Sequence, residues 1–247
     1  MTTKNLNVIS LDSQTIKYNK NINDNKFDKI KLHDIIVTHG THATVWHCSY
    51  KKKDCVLKMV LLSEGGFNNK NNFKKKNDGK DPFRHSTFKH RKPMLRDKFL
   101  EETVKLKDLS ALGLAPKVYD WWIDDTSFNV HYGFILMTKM DSDLKHILYE
   151  RNLTPTETNL VENFINTLHN KHGIVHHDLK PANMGVILNV NKEIEKIVAL
   201  DCSRVKYKRD FSIGRFKRLC KRDWDDYNKY KQKNIEQGLL MRKNKRI

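Results

Sequence analysis

Short apolar runs separated by polar turns dominate the first half of the chain, and helical spacing dominates the second. Ile35-Ile36-Val37, Thr44-Val45-Trp46 and the run from Cys55 through Val60 read as three β segments joined by short turns. Phe99, Val104, Leu106, Leu109 and Leu112 then recur at mostly helical spacing, and Gly113 supplies a stop. Pro116-Lys117-Val118-Tyr119 opens an extended region that continues through Trp121 and Trp122, and 132–137 is nearly all apolar, as a buried strand would be. A short helix is expected over 141–149. Thr154-Pro155-Thr156-Glu157 has the form of a helix start: a Thr cap, a Pro in the first turn, and a Glu three residues on to reach back. That helix carries Leu160, Val161, Phe164, Ile165 and Leu168 and ends near Gly173. Val186-Ile187-Leu188 and Ile197-Val198-Ala199-Leu200 flank a polar turn and predict a hairpin ending at Asp201. Beyond it, 211–219 has some apolar character, and Asp223-Trp224 with Tyr227 and Tyr230 suggests one more helix. Strands first and helices later predict an α+β fold.

Three stretches break this pattern. Residues 1–31 are rich in Asn, Lys and Asp and read as a weakly ordered polar leader. Residues 65–93 carry almost no apolar periodicity and include Lys74-Lys75-Lys76, which predicts a mobile basic insert. Residues 234–247 read as a basic tail. The chain has 247 residues, enough for one core or two small lobes, and a formal charge of +18. Such a field draws acidic protein segments or nucleic acid, the latter through the basic insert and tail. No apolar run approaches the ~20 residues that span a bilayer, and the N-terminal stretch lacks an apolar signal core. A cytoplasmic or nuclear location without membrane insertion is therefore expected. Cys48, Cys55, Cys202 and Cys220 form no CxxC pair, so reduced thiols are expected and no zinc site.

The densest chemistry is His176-His177-Asp178-Leu179-Lys180-Pro181-Ala182-Asn183, with Asp201 at the end of the following hairpin. A carboxylate, an ammonium and an amide fall within six residues. Asp178 can orient a hydroxyl and accept its proton, Lys180 can neutralise phosphate charge, and Asn183 with Asp201 offers hard oxygen ligands for magnesium. The plainer alternative is a polar turn before a strand.

This run resembles the catalytic loop of eukaryotic-type protein kinases, and the Lys two residues after the Asp is similar to the serine/threonine subgroup. The resemblance implies a two-lobed protein-kinase-like fold: an antiparallel β N-lobe over 32–137, a hinge at 138–140 and a reduced helical C-lobe over 141–233. It implies transfer of the ATP γ-phosphoryl group to a protein hydroxyl, with Mg2+. Thr38-His39-Gly40-Thr41-His42-Ala43-Thr44-Val45 resembles the kinase nucleotide loop with only its middle glycine kept; Thr38 and Ala43 stand where the family usually has Gly. Val45 and Val56 would cover the adenine, Met137 would lie behind it, and the backbone of Thr138 and Met140 would bond it.

Lys58, inside an apolar strand, would hold the α- and β-phosphates and pair with a helix glutamate. Glu102 is preferred, because Leu106 and Leu109 then fall on the core-packing face; Glu101 is the fallback. The alternative for Lys58 is an edge lysine snorkelling to water. His176 resembles the family's structural histidine. His177 replaces the arginine that clamps an activation-loop phosphate in many kinases, which implies no need for that phosphorylation. Asp201-Cys202-Ser203 stands at the Asp-Phe-Gly position, and a segment less able to swing is expected there. Asp223 is a candidate brace for the loop backbone.

The resemblance covers 32–203 and thins beyond. The Ala-Pro-Glu anchor of the family is absent from the sequence. Three readings stay open: a compact serine/threonine protein kinase of the type found in large DNA viruses or bacterial effectors; a short atypical kinase resembling those that act as ATPases in a tRNA-modifying complex; and a nucleotide-binding pseudokinase.

Overall fold

A computed structural model of the chain describes residues 6–11, 14–19, 30–37, 43–63, 93–125 and 131–244. The fold is α+β, with largely antiparallel sheets and, among the described residues, four α-helices. It divides into two compact units, one within Met1–Thr103 and Val118–Lys139, the other within Val104–Lys117 and Met140–Ile247. The division falls inside the 138–140 segment read as a hinge.

The first unit holds a sheet ordered β3 (Ile30–Val37), β4 (Ala43–Tyr50), β5 (Lys53–Ser63), β8 (His131–Thr138) and β7 (Val118–Asp125), with β6 (Met94–Leu95) parallel to the end of β5. β1 (Leu6–Leu11) and β2 (Gln14–Asn19) form an antiparallel hairpin of their own within the stretch that composition marks as a weakly ordered leader. Lys51 and Lys52 turn β4 into β5 with φ of 48° and 63°, the left-handed pair of a two-residue hairpin turn.

Register assigns the two faces of this sheet. Cys48 opposite Cys55, Trp46 opposite Leu57 opposite Leu136, and Met59 opposite Phe134 build one buried face. Trp122 stacks on Phe134 there at 5.1 Å between ring centroids. Burial pushes the Cys48 thiol up to about 12, so it stays an unreactive thiol. The other face carries Val45 opposite Lys58 opposite Ile135, and Val56 opposite Met137. Helix α1 (Arg96–Ala111) covers part of it: the Phe99 ring lies on Gly133, where any Cβ would come within 2.7 Å of ring carbons.

The second unit holds α2 (Leu144–Glu150), α3 (Pro155–Asn166), α4 (Ile213–Asn244), a sheet ordered β12 (Ile194–Ala199), β11 (Met184–Leu188), β9 (Ser142–Asp143), and the pair β10 (Ile174–Val175) with β13 (Lys206–Tyr207). Helix α3 starts as its sequence indicates. Thr154 Oγ1 accepts the Glu157 N–H, and Glu157 Oε2 accepts the Thr154 N–H. Glu157 also receives both guanidinium nitrogens of Arg151 at 2.6 Å and the Ile194 N–H at 2.9 Å, which ties α3 to β12. The Arg151 hydrogen bonds hold the Glu157 carboxyl down at about 2.

Helix α4 runs unbroken across the 233/234 boundary, so the basic tail is helical to Asn244. Its buried positions, Phe216, Asp223, Tyr227, Asn234 and Gly238, recur every seven then four residues, one stripe along its length. Gly238 lies against the backbone of Tyr149 and Leu148 at the end of α2.

Candidate active site

Residues 176–183 join β10 to the 3-10 turn Pro181–Asn183 and β11. The turn brings Asp178, Lys180 and Asn183 into one hydrogen-bonded group. Lys180 Nζ donates to Asp178 Oδ2 at 3.1 Å. Asn183 Nδ2 donates to the same oxygen at 3.0 Å and to the Asp178 carbonyl at 2.9 Å. Asp178 is thus a carboxylate aimed by an amide and neutralised by an ammonium, and both charged side chains stay partly open to water.

Three buried groups hold this loop. Asp223 accepts the N–H of His176 at 2.7 Å and of His177 at 2.8 Å, and His169 Nε2 donates to it at 3.1 Å. The brace expected of Asp223 is therefore made through the two residues ahead of Asp178. His176 Nε2 donates to the Leu200 carbonyl at 2.9 Å, since a carbonyl can only accept. Leu200 N in turn donates to the Asn183 carbonyl at 2.7 Å. Leu200 precedes Asp201, so these bonds tie the Asn183 turn to the Asp201 turn.

Asp201 is exposed and its backbone is left-handed, φ 50°; His177 is too, at φ 63°. Among the described residues the other non-glycine positions with positive φ, Lys51, Lys52 and Lys192, sit in hairpin turns, whereas His177 lies within this loop and Asp201 on the turn tied to it. Ser203 Oγ donates to Asp201 Oδ1 at 2.8 Å, Lys105 Nζ donates to the Ser203 carbonyl, and Cys202 is wholly buried. His177 Nε2 faces Arg222 Nη1 at 3.5 Å. Burial, then the Arg222 charge, lowers the His177 pKa. Both effects disfavour the charged imidazolium, so His177 is a poor stand-in for the arginine it replaces.

The first unit carries the other candidates. Lys58 Nζ pairs with Glu102 Oε1 from α1, and Glu102 is 2% exposed. Glu102 Oε2 has no hydrogen-bond partner among the described residues. Glu101 pairs instead with Lys98, on the exposed side of α1. Val56 and Met137 face each other across β5 and β8, Val45 faces Lys58, and Ala43 begins β4; all lie on the sheet face that Lys58 occupies. Thr138 ends β8, its hydroxyl donating to Tyr119 Oη at 3.3 Å. Met140 opens the second unit and packs on Gly185. Thr38 and Gly40 lie outside the described residues, as does the basic insert apart from Pro93.

Asn183 and Asp201 suit magnesium by donor type. The Asn183 amide oxygen takes no hydrogen bond among the described residues, and Asp201 is an exposed carboxylate on the adjoining turn. Among the described residues no three His, Cys, Asp or Glu side chains gather into a metal cage. Two hard protein ligands, with substrate oxygens and water for the rest, match the way Mg2+ is commonly held.

Sequence reasoning did not find His169 or Lys105. Each bonds a residue 54 or 98 positions away, a relationship no local pattern carries. No helix among the described residues is long and apolar enough to cross a membrane. No protein-family model and no curated protein matches this chain.

Proposed function

We propose that the chain is a two-lobed, ATP-dependent serine/threonine protein kinase. The observation that carries this reading is the group Asp178–Lys180–Asn183, held by Asp223 and tied through Leu200 to Asp201. A carboxylate with one oxygen held by an ammonium and an amide keeps a fixed direction, as aiming a hydroxyl requires.

In this mechanism Asp178 orients the acceptor hydroxyl and takes its proton as the oxygen attacks the γ-phosphorus. The bond to the β–γ bridging oxygen breaks and ADP leaves with that electron pair. Lys180 neutralises charge on the phosphoryl group in flight. Asn183 and Asp201 would hold magnesium, which would supply charge neutralisation to the phosphates when bound. Lys58, oriented by Glu102, holds the α- and β-phosphates, and Val45, Val56 and Met137 give the adenine an apolar surface.

A second reading, ATP hydrolysis within a larger assembly, is favoured by one observation. Between Asp201 and α4 lie only short turns and the two-residue β13, a small surface on which to lay a peptide. Incubation with radiolabelled Mg-ATP and casein separates the two. Transfer to casein that is lost in Lys58→Met and Asp178→Ala supports the kinase. Phosphate release without transfer, enhanced by tRNA, supports the second. Absence of any thermal shift with Mg-ATP removes both, since saturation at 100 times Kd stabilises by ~2.7 kcal/mol.

A further inference from the structure

Residues 204–222 carry nine Lys and Arg and one acidic residue, Asp210. This is the most one-sided charge among the described residues, and it lies wholly in the second unit. Lys221 and Arg222 have acidic partners, Asp225 and Asp226, one helical turn on. Among the described residues Arg204, Lys206, Lys208, Arg209, Lys217 and Arg218 take part in no ion pair, and all but the half-buried Lys206 are exposed. Cations that share a surface without counter-ions repel one another, and a bound anion relieves that repulsion.

The surface is also held in shape. β13 pairs with β10, Lys208 N donates to the Gly173 carbonyl at 2.7 Å, and Tyr207 Oη donates to Asp108 at 3.2 Å. Two guanidiniums are set on aromatic rings: Arg209 lies 4.8 Å from the Tyr207 centroid and Arg215 4.9 Å from that of Phe211. Stacking fixes each fork and leaves its N–H edge for oxygen anions. Each guanidinium also occupies one face of its ring, a face on which a nucleobase would otherwise stack, which disfavours single-stranded nucleic acid as the occupant. The patch reaches the transfer site through Arg222, which faces His177 beside Asp178.

We propose that this surface docks a protein segment bearing clustered carboxylates or phosphates. In its role as the acceptor segment the inference rests on the kinase reading; as a binding surface it does not.

The test uses the full chain without nucleotide. The probes are a fluorescein-labelled serine peptide flanked by glutamates, the same peptide with phosphoserines for glutamates, a lysine counterpart, and a single-stranded oligonucleotide of equal net charge. The variant Lys208→Glu/Lys217→Glu/Arg218→Glu alters exposed positions only. Lys229→Glu/Lys233→Glu/Lys243→Glu makes the same charge change elsewhere on α4, and the melting temperature of each variant checks folding. The expected result is saturable binding of both anionic peptides, none of the lysine peptide, and a loss of about tenfold or more in the first variant with little change in the second. The glutamate and phosphoserine arms identify which anion is preferred. Equal loss in both variants, no loss in the first, or tighter binding of the oligonucleotide with the same response would overturn the proposal. Peptide binding without phosphotransfer would remove the kinase reading and leave the docking surface standing. With transfer active, KM for the acidic peptide should rise in the first variant while kcat holds.

Discussion

The carboxylate of Asp223, wholly buried on α4, accepts the backbone N–H of His177 at 2.8 Å across 46 residues of chain. Its second oxygen accepts from His176 and His169. One side chain thereby fixes the backbone immediately ahead of Asp178. Asp223→Ala leaves two backbone donors without an acceptor and should destabilise the protein by about 2–4 kcal/mol, read from urea unfolding. At temperatures where the variant is folded, kcat should fall more than KM rises. Unchanged stability would show that the brace is dispensable.

Lys58 and Glu102 form a pair whose acidic partner is almost fully enclosed. Removing the cation alone leaves a buried carboxylate uncompensated, so Lys58→Met should cost about 3 kcal/mol. Lys58→Met/Glu102→Met removes both charges and should recover much of that loss while remaining inactive. A double variant less stable than Lys58→Met, by denaturant midpoint, would contradict this.

The Arg151–Glu157 link gives the fold a defined acid response. The Glu157 carboxyl, held at about 2 when folded, returns to its ordinary value of 4.5 when unfolded. A depressed folded pKa gives stability that is complete above about 4.5 and is lost as pH falls through about 2. Unfolding free energy measured from pH 6 downward should show this fall in the wild type and a flatter one in Glu157→Gln.

Gly238 allows α4 to reach the end of α2. A Cβ there would lie 2.7 Å from both Tyr149 Cα and the Tyr149 carbonyl oxygen. Helix propensity alone favours Gly238→Ala by about 1 kcal/mol. The clash is with backbone and should reverse the sign, for a net loss of about 1–3 kcal/mol in thermal unfolding. A stabilised variant would mean that α4 can shift without cost.

What the sequence made legible is local. The β segments at 35–37, 44–46, 55–60 and 132–137 fall within β3, β4, β5 and β8, and the alternation at 44–46 and the apolar runs at 55–60 and 132–137 mark positions that are mostly buried. The Thr154 cap carries its partner three residues away. The site loop was legible as a spacing of residue types. Helix α4 was glimpsed only around Asp223 to Tyr230, because its buried stripe uses Asp223, Asn234 and Gly238 where a pattern search expects apolar residues. Those residues are buried because of what they meet: two backbone N–H groups in one case, a helix backbone in another. The Arg151–Glu157–Ile194 link was hidden likewise, since its third member is a backbone N–H.

The central claim is phosphoryl transfer guided by Asp178. Its most direct measurement is the initial rate of phosphate incorporation into a serine-containing protein acceptor from γ-labelled Mg-ATP, compared between the wild type and Asp178→Asn of matched melting temperature. The account predicts incorporation on serine or threonine in the wild type and a fall of about 10²–10⁴-fold in the variant. Equal rates in the two proteins, or labelled nucleotide bound with no phosphate ever leaving it, would contradict it.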